Sequence, residues 1–166
     1  MGHARKYRYS ARSFGALDTE VAGLVEGEQE ESFHRFLRGG VLPKPGPGTT
    51  AWLAKVARWT TAGKQIRRVH IVTRPLSDYL RWELVVYRQQ TSQAGEDIRI
   101  ADATNVPWLA EVGPDFWLFD DAVPVECRYD TEGRWLGGEQ ATHDIGYYRQ
   151  QRDLALAHAV PLADFQ

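Results

Sequence analysis

Residues 63–83, GKQIRRVHIVTRPLSDYLRWE, constrain the fold more than any other stretch of this chain. IRRVHIVT reads as a buried strand, with Val69, Ile71 and Thr73 pointing to one side and Arg68, His70 and Val72 to the other. Pro75 stops it, and Ser77 stands where the N-cap of a helix over Asp78–Gln90 belongs. Tyr79, Leu80, Trp82, Leu84, Val85, Val86 and Tyr87 are spread almost all round that helix, which predicts that it is largely buried. Gly95 then opens a second strand, EDIRIAD. Strand, helix and strand within about 40 residues is the length of a right-handed parallel crossover, so the chain reads as an α/β fold.

The flanking segments are read around that unit. Phe14, Leu17, Val21 and Leu24 have roughly helical spacing, but Gly15 and Gly23 interrupt them, and residues 1–27 read as mixed, with at most a short strand. Glu28–Arg38 reads as a helix with an acidic first turn, a basic last turn, an apolar stripe of Phe33, Phe36 and Leu37, and a left-handed stop at Gly39–Gly40. Residues 41–50, VLPKPGPGTT, form an exposed Pro/Gly-rich loop. Thr49 or Thr50 caps a second helix ending at Gly63, with Trp52, Val56 and Trp59 on its core face. Downstream, DFWLFDD, VPVECRYD and RWLGGEQ read as three strands of an antiparallel meander, turned at Asp120-Asp121-Ala122 and Asp130-Thr131-Glu132-Gly133. A last helix from about Asp144 to Ala159 buries Tyr147, Tyr148, Gln151, Leu154, Ala155 and His158, and Pro161 closes it. The expectation is one α/β domain over residues 1–166: a mixed sheet with a parallel crossover followed by an antiparallel meander, helices packed on the sheet.

Composition narrows the class of protein. At 166 residues with 43% hydrophobic content the chain is long enough to bury a real core. No apolar run approaches the roughly 18 residues of a membrane span, and the basic N-terminal stretch lacks the apolar region of a secretory signal. Lys6 stands where a myristoylation motif requires Ser or Thr. A lone cysteine, Cys127, makes no internal disulfide, so a reducing cytoplasm is the simple expectation. The net charge of −2 hides segregation. Between Ser32 and Ser77 stand Arg35, Arg38, Lys44, Lys55, Arg58, Lys64, Arg67, Arg68 and Arg74 with no acidic residue among them. Such a run can bind phosphate or an acidic surface. The pI of about 6.2 favours pairing with the chain's own acids over a nucleic-acid footprint.

In open α/β sheets, ligands bind beyond the carboxyl ends of the parallel strands. That edge gathers Thr73, Arg74, Ser77, Asp78, Arg81 and Asp102, with Asp120 and Asp121 joining only if their strand runs the same way. Free amides at the helix start and the guanidinium of Arg74 make an anion-binding corner, to which Arg68 can contribute charge. The simpler reading is that Ser77 caps, Asp78 complements the dipole and Arg74 is salt-bridged. His70 and Asp120 are the catalytic candidates, although a histidine inside a strand is more often a satisfied buried one. His143 and Asp144 would need a third ligand to hold a metal. The chain has no P-loop, GxGxxG, GxSxG, HExxH or paired CxxC. The acids Asp115, Asp120, Asp121, Glu126 and Asp130 lack EF-hand-like spacing. No metal site and no cofactor is expected.

RVHIVTRPLSDYLRWE, AGEDIRI, DFWLFD and YYRQQRDLALAHAVPLADF together resemble an actinobacterial family of domains of unknown function. The resemblance covers residues 66–166 well and the N-terminal third mainly through FHRFLRGG. It implies genes beside helix-turn-helix regulators of the Xre type, and so a regulatory or toxin–antitoxin-like role. The Asp-Phe-x-x-Phe-Asp strand also faintly resembles the phospholipase D-like fold. That chemistry requires H-x-K, and His70 is followed by Ile71 and Val72, so phosphodiesterase activity is not implied.

The functional expectation is a non-enzymatic cytoplasmic regulatory partner that binds a helix-turn-helix regulator or a small anionic ligand at Arg68, Arg74, Ser77, Asp78 and Arg81. An enzyme acting on a phosphorylated or nucleotide substrate through His70, Arg74 and Asp120 is the alternative. Direct nucleic-acid binding through the basic run comes third.

Overall fold

The computed structural model describes residues 7–11, 19–39, 41–111, 113–131 and 135–166. In chain order the elements are β1 (Tyr7–Ala11), α1 (Thr19–Gly39), α2 (Pro47–Thr61), β2 (Ile66–Val72), α3 (Asp78–Val86), β3 (Asp97–Asp102), α4 (Pro107–Ala110), β4 (Phe116–Phe119), β5 (Val123–Tyr129), β6 (Trp135–Gln140), α5 (Ile145–Ala157) and β7 (Ala159–Pro161). Between α3 and β3 the chain stays helical, through a π-turn at Tyr87–Thr91 and a 3-10 turn at Ser92–Ala94. By its internal contacts the chain divides into a sheet unit (residues 1–14, 65–74 and 97–166) and a helical unit (15–64 and 75–96).

The sheet unit holds one mixed seven-stranded sheet in the order β6-β5-β4-β1-β2-β3-β7. β2 and β3 are parallel, with His70 opposite Ile100, as the strand–helix–strand pattern required. β4, β5 and β6 form the expected antiparallel meander. β1 lies between the two halves, antiparallel to β2 and parallel to β4. One core cluster joins Val69, Ile71 and Ala101 to Leu109 of α4 and Ala155 of α5. A second joins Phe116 and Leu118 of β4 to Tyr148 of α5. The β4–β5 turn uses two consecutive aspartates at positive φ, Asp120 (52°) and Asp121 (57°), the signature of a primed hairpin turn, with the Ala122 amide donating to the Phe119 carbonyl. The last helix ends at Ala157, and residues 159–161 pair with β3 as an edge strand, so Pro161 sits in a strand where its missing N–H does no harm.

The helical unit corrects three expectations. α1 begins at Thr19, so Glu28–Glu31 are mid-helix and not the first turn. Gly23 and Gly27 lower helix propensity by about 1 kcal/mol each without breaking the ladder. Leu37, expected on the buried stripe, is 50% exposed. α2 is not capped by Thr49 or Thr50: Gly46 is the N-cap, Pro47 opens the helix, and no side chain of the cap residue bonds to it. Val56 of α2 is fully buried, while Trp52 and Trp59 are half-buried and meet edge to face at 6.0 Å. Phe33 of α1 packs its ring against Tyr79 and Trp82 of α3 at 5.2 and 5.7 Å. Expectations that fall on residues 1–6, 12–18, 40 and 132–134 lie outside the described residues.

Candidate functional site

The anticipated anion corner is held by the protein's own groups. The Arg74 amide donates to Thr104 Oγ1 at 2.8 Å and its Nε to Asp102 Oδ2 at 2.8 Å. Its second guanidinium arm donates to the Gln166 main-chain oxygen, and the group lies 4.9 Å from the Phe165 ring centre. Burial pushes the Asp102 carboxyl up, but hydrogen bonds from Thr104 and the charge of Arg74 outweigh it and hold it below the ordinary range. Ser77, in the helical unit, is the N-cap of α3 and accepts the Leu80 N–H at 3.2 Å. Asp78 and Arg81 face each other across one turn at 3.7 Å, both exposed.

The catalytic candidates do not converge. His70 is 2% exposed in the middle of β2, and Arg68 is buried two residues earlier. β4 runs parallel to β1, and β1 antiparallel to β2, so Asp120 stands at the opposite end of the sheet from Arg74 and Asp102. The condition for Asp120 and Asp121 to join that edge is therefore not met. Asp121 instead pairs with Arg149 at 3.2 Å and with Arg152 of α5. Much of the basic run is likewise internally used: Arg35 pairs with Glu31, and Arg67 with Asp97 at 2.7 Å.

Two buried polar groups in the sheet unit have structural chemistry. Tyr148 donates its hydroxyl to Glu126 and accepts the amides of Thr142 (3.0 Å) and His143 (3.2 Å). Thr142 Oγ1 also donates to Glu126 at 2.8 Å. Burial and the Glu126 carboxylate raise the Tyr148 pKa, the opposite of what a catalytic phenolate needs. Burial, with the nearby Asp115 charge, pushes the Cys127 thiol up to about 12, so it is no nucleophile. Among the described residues no three His, Cys, Asp or Glu side chains gather as a metal site, and no helix is long and apolar enough to cross a membrane.

A concave site lies in the helical unit. A cavity of about 190 Å³ opens between α1, the Pro/Gly-rich loop and α3 with its π-turn. Its apolar wall is Pro43, Pro45, Trp82 and Val86. Trp82 is fixed by its Nε1–H, which donates to Ser32 Oγ at 3.2 Å. Glu28 lines it too, but its carboxylate already accepts the amides of Gly48 (2.8 Å) and Thr49 (2.7 Å) and the Thr49 hydroxyl (2.7 Å). Those bonds, the Thr49 hydroxyl first, hold its pKa below the ordinary range. Glu31 and Arg35 neutralise each other. Among the described residues Lys44 is left as the cation at the cavity with no ion pair or hydrogen bond to the protein.

A family model, Domain of unknown function (DUF6879), matches residues 22–166. The chain belongs to this family. No curated protein and no solved structure matches the chain. The DUF6879 match starts inside α1, well before the stretch through which the sequence showed its resemblance, and it takes in every residue of the cavity. None of Gln29, Lys44 or Gln90 stands out in the sequence. The one signal was a lysine isolated in a proline- and glycine-rich loop, the kind of segment that carries function more often than a core element does.

Proposed function

We propose that this protein is a non-enzymatic regulatory protein of the cytoplasm that binds a small anionic ligand in the cavity of its helical unit. The observation that carries the reading is Lys44: among the described residues its ammonium has no partner, while Glu31 and Arg35 pair with each other and the Glu28 carboxylate is turned to its donors at the start of α2. An unpartnered ammonium beside an apolar wall suits a compact organic anion. The non-enzymatic part is supported by what the chemically capable polar side chains do. Arg74, Ser77, Glu126 and Tyr148 each hold a piece of fold together.

Calorimetric titration of the full chain with acetate, isovalerate and inorganic phosphate tests the reading. Saturable binding that Lys44→Ala abolishes, with the far-UV spectrum unchanged, is the expected result; binding that survives in Lys44→Ala would overturn it. A helix-turn-helix regulator as protein partner belongs to the same proposal and draws its support from the family resemblance. Co-purification with such a regulator encoded nearby is expected, and no complex at micromolar concentration would remove that part.

A further inference from the structure

Three side chains with hydrogen-bonding capacity to spare converge on the cavity. With the exposed Lys44, Gln29 and Gln90 line the cavity; both glutamines are half-buried and, among the described residues, neither is hydrogen-bonded to the protein. They come from three separate segments: α1, the loop and the π-turn. A carboxamide presents a donor and an acceptor side by side, the complement of a peptide group. Both carboxamides are open to solvent, and an occupant with the matching pattern can take the place of water on them. The volume, about 190 Å³, lies below the ~300–1,000 Å³ of sites for drug-sized ligands. It suits one amino-acid residue and the amide before it. The wall of Pro43, Trp82 and Val86 gives such a residue an apolar seat. The π-turn itself is a device that recurs at functional sites, because the widened turn re-aims the side chains that follow it.

We propose that the cavity takes a peptide-like carboxylate, with the carboxylate at Lys44, the adjoining amide between Gln29 and Gln90, and an apolar side chain on Trp82 and Val86. This rests on the reading of the cavity as an anion site and names the ligand class. The same chemistry is offered by a free N-acyl amino acid and by the last residue of a partner polypeptide.

The test titrates the full chain with N-acetylvaline, isovalerate, inorganic phosphate, a six-residue peptide ending in valine, and the same peptide as its C-terminal amide. N-acetylvaline is expected to bind at least about tenfold more tightly than isovalerate, the value of one well-made hydrogen-bonded group. Gln29→Ala and Gln90→Ala should each erase most of that margin while leaving isovalerate binding unchanged. Lys44→Ala should abolish both, and the amidated peptide should not bind. The peptide acid binding more tightly than N-acetylvaline assigns the site to a polypeptide end; the reverse order assigns it to a free metabolite. Isovalerate and phosphate binding as well as N-acetylvaline, all lost in Lys44→Ala, would overturn the peptide-like ligand and leave the anion site standing. Absence of binding by every probe would overturn both.

Discussion

Glu28 sits in the middle of α1 and directs its charge at a different helix. Its carboxylate takes two orphan amides and a hydroxyl at the start of α2, where the cap residue, Gly46, has no side chain to offer. Gly46 is also the residue that permits the approach, since a Cβ there would stand 2.4 Å from the Glu28 carboxyl carbon. Glu28→Gln should therefore cost about 1 kcal/mol, the usual size of an N-cap loss, read as a lower urea midpoint with an unchanged slope. No change in midpoint would mean that the neutral carboxamide oxygen accepts these donors as well as the carboxylate does. The contrast with Ser77 shows what a sequence reveals at this scale. Ser77 caps the helix three residues ahead, so its role is legible from neighbours alone. Glu28 caps amides twenty residues away, and only packing of α1 on α2 brings them together. From the sequence Arg74 suits a ligand or a salt bridge alike, and the choice depends on Asp102 and Gln166, both remote in sequence.

Elements were legible where periodicity was strong, and their ends were not. The helix after Ser77 was expected to reach Gln90; it changes pitch at Tyr87 and runs on to Ala94, because hydrophobic spacing does not distinguish an α from a π-turn over five residues. What stops it is Gly95, at φ 98°, packed so closely that a Cβ would meet Thr60 Oγ1 at 2.6 Å. That same hydroxyl donates to the Ala94 carbonyl at 3.0 Å and ties the end of α2 to this helix end. Gly95→Ala combines a left-handed backbone with a clash, and about 2 kcal/mol of destabilisation is expected by thermal or urea unfolding. A loss below about 0.5 kcal/mol would show that the Thr60 contact yields freely. The aspartate turn between β4 and β5 makes a gentler prediction. Asparagine tolerates positive φ as aspartate does, so Asp121→Asn keeps the turn and removes only the charge facing Arg149 and Arg152. A loss of roughly 0.5 kcal/mol at low salt, vanishing near 1 M salt, is expected of an exposed pair. A loss independent of salt would place its origin in turn geometry instead.

At the scale of the whole molecule, strand order was the part least available to sequence. The crossover from β2 to β3 and the β4–β5–β6 meander are local in the chain and could be read directly. The insertion of β1 between them is a pairing of residues 7–11 with residues more than fifty positions away, and it sets the direction of β4 that parts Asp120 from Arg74. A property that both units share is the sign of their carboxylate shifts. Glu28 in the helical unit, and Asp102 and Glu126 in the sheet unit, are all held below the ordinary range; for the latter two, hydrogen bonds and neighbouring cations overcome burial. A carboxyl depressed on folding binds fewer protons in the native state than in the unfolded one, so its contribution is present above the unfolded value of about 4 and is lost as pH falls through the native value. Cys127 and Tyr148 act at the other end: burial raises both, with Asp115 beside the thiol and Glu126 beside the phenol, so their contributions are present below about 8.5 and about 10 and fade as pH rises beyond each. Stability measured by urea midpoint should then be level between about pH 5 and 8 and fall on both sides. Glu28→Gln and Asp102→Asn should each flatten the acid limb without moving the alkaline one, and, with the share of Cys127 left in place, Tyr148→Phe should flatten the alkaline limb only in part. Its added loss at neutral pH, about 1–3 kcal/mol, comes from leaving the buried Glu126 short of its hydroxyl donor. An acid limb equally steep in Glu28→Gln and Asp102→Asn would assign it to other groups, since those two variants no longer carry the protons that the wild-type chain takes up on unfolding.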